Sequence, residues 1–96
     1  MTFDIGDMVR LTVEFRVDQV DVDPTTLTLK ILAPNGVETV YAYGPDPAVV
    51  RDATGHYHAD WNAAIQGTHY YRWQGTGNAQ AALEGSFFVQ PSQFVT

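Results

Sequence analysis

His56-x-His58-x-Asp60 is the one run in this 96-residue chain with the spacing of metal ligands. Residues two apart on a strand point the same way, so all three could converge on one zinc or copper ion, with His69 joining if its strand folds across. The competing reading is simpler. If Tyr57, Ala59 and Trp61 fill a core, then His56, His58 and Asp60 face water as ordinary polar residues. Asp18, Asp21 and Asp23 invite a calcium reading by their spacing. An EF-hand loop needs a glycine at its bend and a glutamate at its twelfth position, and neither stands there, so the aspartates read as turn formers.

Other chemistry is harder to find. Ser86 and Ser92 lack a nucleophile motif such as G-x-S-x-G, and there is no P-loop or dinucleotide fingerprint. No acid–base pair stands out. The chain reads as non-enzymatic, with no catalytic residue and no cofactor. Tyr41, Tyr43, Tyr70, Tyr71 and Trp73 could include a sugar-stacking platform, although such rings more commonly serve as core or corner residues. A carbohydrate-binding or adhesion module therefore stays open as an alternative, as does a metal-binding module.

These residues must be held by strands. The stretch from Asp52 to Trp73 contains both tryptophans, all three histidines and Tyr57, Tyr70 and Tyr71. It reads as two strands joined by the polar connection 62–67, with Tyr71 and Trp73 alternating against Tyr70, Arg72 and Gln74. Upstream, Val9, Leu11, Val13, Phe15 and Val17 alternate with Arg10, Thr12, Glu14 and Arg16, which puts the first set on a core face. Leu27, Leu29, Ile31 and Ala33 make a second such face. Pro34-Asn35-Gly36 then closes a hairpin, since Asn and Gly tolerate positive φ. In the strand that follows, Val37 to Tyr43, pattern alone does not decide which face is buried. Val49 and Val50 begin a short edge strand after the break at Pro45 and Pro47. The last strand sets Ala81, Leu83, Gly85, Phe87 and Val89 on one side, with Gly85 suited to a bulge.

The expected architecture is all-β: one antiparallel two-sheet sandwich of about seven strands, with turn signals spaced as such folds require. Its expected core includes Val13, Phe15, Leu29, Ile31, Tyr57, Trp61, Tyr71, Trp73, Leu83 and Phe87. Residues 1–7 form an N-terminal arm, 8–90 the sandwich and 91–96 a C-terminal tail. Phe3 and Ile5 in the arm, and Phe94 and Val95 in the tail, are candidate interface residues, although the arm can equally dock on its own domain.

Composition narrows the partners. Eleven acidic residues against five basic ones give a formal charge of −6, which repels phosphate backbones, and there is no basic stripe. Nucleic acid is not an expected partner. No run approaches the ~20 apolar residues of a membrane helix. MTFDIGDM lacks a charged n-region and a long apolar run, so no signal peptide is expected. Cysteine is absent, so neither a disulfide nor a thiolate metal site holds the fold.

Asp23-Pro24-Thr25-Thr26 leading into Leu27-Thr28-Leu29-Lys30-Ile31 and Pro34-Asn35-Gly36 resembles the front half of small immunoglobulin-like structural proteins of tailed bacteriophages. Thr54-Gly55-His56-Tyr57 with Trp61, then Gly67-Thr68-His69-Tyr70-Tyr71-Arg72-Trp73 and Gly75-Thr76-Gly77, resembles the back half. Ala81-Ala82-Leu83-Glu84-Gly85-Ser86-Phe87 is similar to the closing strand. The likeness covers roughly residues 8 to 90. It implies an immunoglobulin-like β-sandwich serving as a virion part, either head decoration or a neck or collar component. The implied partners are the major capsid or other virion proteins, with a homo-oligomer compatible, and the chain would be made in the host bacterial cytoplasm. No catalytic residues come with it. The Gly-x-Tyr and Tyr-x-Trp pattern also resembles bacterial periplasmic sandwich modules linked to metals.

Overall fold

Alternation sorts the side chains before any tertiary contact is considered. In the computed structural model, which describes residues 2–92, the first alternating run is strand β2 (Met8–Glu14), with Val9, Leu11 and Val13 buried and the residues between them exposed. Two short strands flank it, β1 (Thr2–Asp4) before and β3 (Arg16–Val17) after; β3 pairs with β4 (Val20–Asp21). The longer strands that follow are β5 (Thr26–Leu32), β6 (Glu38–Ala42), β7 (Val49–Ala53), β8 (His56–Asn62), β9 (Gly67–Thr76) and β10 (Ala81–Gln90). The seven longer strands are those expected from the sequence; β1, β3 and β4 are additional.

Five strands in the order β1-β10-β9-β5-β6 form one sheet, and three in the order β2-β8-β7 form the other. Inward side chains from both make one core. Val9, Leu11, Val13, Tyr57 and Ala59 from the smaller sheet meet Leu27, Leu29, Ile31, Trp73, Phe87 and Val89 from the larger. Burial of that apolar surface, at ~25 cal/mol per Å², is the main stabilising term. The Asn35-Gly36 hairpin forms as its residues demand, with Gly36 at φ 86° and Asn35 Oδ1 accepting from Val37 N. In β6, Thr39 and Tyr41 turn inward while Glu38 and Val40 face out, which settles the strand whose pattern was ambiguous.

Several expectations need correction. Val17 does not continue the core face; it is 41% exposed. After Phe15 the chain folds into the β3–β4 hairpin, with Asp18 and Gln19 both at positive φ (51° and 67°), which lifts Val17 and Val20 off the core. Leu83 is not a core residue either: it is 46% exposed, although its cross-strand partner Trp73 is fully buried. Leu83 sits on the inward side of β10, but beside it β1 has not begun, and the three-stranded sheet is narrower than the five-stranded one. Trp61 is half-buried and packs on the margin of the core, as does Tyr71. Gly85 makes no bulge, because the β9–β10 register runs through it unbroken. It makes room for Tyr71, whose ring a Cβ at Gly85 would strike. The register shift lies instead between Arg51 and Ala53 in β7.

Candidate binding surfaces

The His56–Asp60 ribbon lies on the outer face of β8, and each member is engaged by a different neighbour. His56 Nε2 is 3.1 Å from Asp21 Oδ2, and its Nδ1 is 3.5 Å from Glu14 Oε1. His58 Nδ1 is 2.8 Å from the Asp52 carboxylate. Asp60 accepts from Arg10 Nε at 2.9 Å, and that bond holds its carboxyl below the usual carboxylate range. His69 cannot join them. It is 1% exposed inside the sandwich, stacked on Phe87 at 4.8 Å with a 9° interplanar angle, and Trp61 meets it edge-on. Its odd-numbered place beside Tyr71 and Trp73 was the available signal for this inward position. Among the described residues, no three His, Asp or Glu side chains are grouped as a metal site.

The acidic connection is equally committed. Asp21 bonds His56 and Arg16, which lowers its pKa. Asp23 accepts from Arg51 Nε, from the Gly55 amide at 2.8 Å and from the Tyr57 hydroxyl at 2.8 Å. Together these hold its pKa at about 2, the Arg51 bond being the largest cause. Asp23 thus fastens the 22–25 segment to the β7–β8 turn. It is a structural junction and not a calcium ligand set.

The outer face of the larger sheet is different in kind. Even-numbered residues of β10, β9, β5 and β6 form rows across it. One row runs Ser86, Tyr70, Leu32, Glu38, and the next Glu84, Arg72, Lys30, Val40. Tyr70, Leu32 and Val40 are 56%, 41% and 50% exposed, and Phe88 adds a further exposed ring. These exposed apolar side chains stand among the charged Lys30, Arg72, Glu38 and Glu84 of the same rows. A shallow groove of about 500 Å³ runs over Tyr70, Arg72, Lys30 and Glu84. Arg72 Nη1 donates to Glu84 Oε1 at 2.8 Å.

No known protein family matches the chain, and no curated protein matches it.

A second feature is the free edge of β10. β1 runs parallel beside Phe88–Gln90 only. Among the described residues, no strand pairs with the outer edge from Ala81 to Ser86. Of the candidate interface residues, Phe3 lies in β1 opposite Val89, its ring edge-on to Phe87 at 5.8 Å, so the arm docks on its own sheet. Ile5 is 40% exposed. Phe94 and Val95 lie outside the described residues. The aromatic set forms no shared platform. Trp73 is buried, Tyr41 and Tyr71 pack against the core, and Tyr43 rests edge-on against Tyr57 at 5.2 Å, so of these five rings Tyr70 is the one on the outer face.

Proposed function

We propose that this chain is a non-enzymatic structural component of a tailed-phage virion, an immunoglobulin-like module attached at the capsid exterior or the head–tail neck. The observation that carries the reading is the free edge of β10. Among the described residues, no strand lies beside the outer edge of Ala81–Ser86, and the apolar side chain of Leu83 in that stretch faces the core side yet stays half-exposed. An extended arm of a neighbouring coat protein would add a strand there, its main chain completing the ladder and an apolar side chain covering Leu83. Many copies on a symmetric shell would turn such modest contacts into durable attachment.

The strand order supports the immunoglobulin-like assignment. In that reading β2-β8-β7 would correspond to strands B, E and D, and β10-β9-β5-β6 to G, F, C and C′. The virion setting itself rests on the sequence resemblance. Mass spectrometry of purified particles tests it: the chain is expected in intact virions, and its absence from them overturns the assignment. Leu83→Asp is expected to leave the fold intact and strip the protein from particles. Retention of that variant at wild-type level would remove the edge as the attachment site.

A further inference from the structure

Four residues on the outer face of β5 and β6 form a checkerboard. Leu32 stands opposite Glu38, and Lys30 opposite Val40. The apolar pair thus occupies one diagonal and the charged pair the other. All four are exposed, and no ion pair within the chain engages Lys30 or Glu38 among the described residues. We propose that this face is the contact surface of a homodimer, with a second copy of the chain seated on it about a twofold axis along the Leu32–Val40 diagonal.

Such an axis places Leu32 on its own copy and Val40 on its own copy. It also exchanges the charged corners, so Lys30 of each chain meets Glu38 of the other. Isologous contacts require this kind of reciprocity. Strands lie ~4.8 Å apart and alternate residues ~6.7 Å apart, so the exchanged corners coincide to within about 3 Å, a gap that Lys and Glu side chains span. The strands of the two copies then cross at roughly 70°, within the range of orthogonal sheet packing.

Charge selects the occupant. The two rows around the checkerboard carry Lys30 and Arg72 against Glu38 and Glu84, so they are balanced, and the formal charge of −6 arises outside them, with Asp4 of β1 at the far margin of the same face. Two copies therefore meet with least mutual repulsion through this face. A strongly basic or acidic partner finds no complementary field here. A contact confined to one small sheet face belongs with the weak, transient interfaces, and the test is set for a dissociation constant on the order of tens of micromolar. The dimer face and the β10 edge are separate, and the inference does not depend on the virion role.

Sedimentation equilibrium of the full chain, from about 5 µM to about 1 mM, tests this range. The wild type is expected to dimerise. Lys30→Glu and Glu38→Lys should each weaken association at least ~10-fold by setting like charges against each other, and the double variant should return to within about threefold of wild type. Val40→Glu, on the apolar diagonal, should also abolish the dimer, which covers the case in which a charge variant fails to fold. Leu83→Asp should leave it unchanged. A wild type that stays monomeric throughout, a double variant that does not recover, or a dimer dissolved by Leu83→Asp but not by Lys30→Glu would each overturn the proposal.

Discussion

The Tyr57 hydroxyl donates to Asp23 Oδ1 at 2.8 Å, joining a strand of the smaller sheet to the segment that leads into the larger one. Asp23 is held at about 2, below the usual 3.8, chiefly by Arg51, the Gly55 amide and this hydroxyl. Tyr57 is pushed up from 10 to about 12, first by burial and then by the carboxylate. A carboxylate with a depressed folded-state pKa adds stability that is complete above its unfolded value and lost as pH falls toward 2. A phenol with a raised pKa adds stability that is complete below 10 and lost as pH rises toward 12. The thermal midpoint should therefore form a plateau that falls on both sides. Asp23→Asn should lower the plateau and flatten the acid limb, with Asp21 and Asp60 supplying what remains. Tyr57→Phe should flatten the alkaline limb. Circular dichroism melts from pH 2 to 12 check both; an acid limb unchanged in Asp23→Asn would contradict the junction.

Trp73 and Leu83 face each other across the β9–β10 ladder yet differ in energetic weight. Truncating the buried indole, Trp73→Ala, should cost roughly 3–5 kcal/mol and come close to unfolding a domain of this size. Leu83→Ala, at a half-exposed position, should cost less than about 1 kcal/mol. Urea denaturation of the two variants separates them.

Gly75 sits under Phe15: a Cβ there would lie 2.6 Å from the Phe15 ring and 3.0 Å from Pro24 Cβ. Phe15 is itself 2% exposed and has little room to retreat. Gly75→Ala should therefore destabilise by about 1–3 kcal/mol through overpacking. In a Phe15→Leu background the added cost should shrink, which a double-mutant cycle by denaturant titration measures.

Because His58 is engaged by Asp52, and His56 by Asp21 and Glu14, zinc at a stoichiometric concentration is expected to leave the melting temperature unchanged. His58→Ala should alter stability by no more than about 1 kcal/mol, in line with a pair whose carboxylate is exposed to solvent. Differential scanning fluorimetry with and without zinc checks this; a zinc-dependent rise abolished by His58→Ala would revive the metal reading.

Much of the fold was legible because a strand presents alternate residues to opposite sides, whatever lies beyond it. Val9, Leu11 and Val13 had to share a face, and so did Leu27, Leu29 and Ile31. The same parity carries His69 inward, a signal that the metal reading, with His69 folding across to the ribbon, passed over. The Asp18–Gln19 turn was harder to see, since it adopts the positive-φ conformation without the Asn-Gly or Asp-Gly pair that announces such turns. Phe3 is a case of two open alternatives, an arm for a neighbour or an arm for its own sheet. Sequence separation from its neighbour Phe87 hides the parallel docking that the structure adopts.

The amino-acid order by itself determined an all-β chain, its hairpin at Asn35-Gly36 and the side of each strand on which a side chain falls. Only the tertiary structure decided what covers that side. Leu83 has the parity of a core residue but lies near an edge that β1 does not reach. Lys30, Leu32, Glu38 and Val40 become a checkerboard only through the register between β5 and β6. The physical reason is that periodicity is a local property of backbone geometry, whereas coverage and register depend on where other strands begin, end and pair.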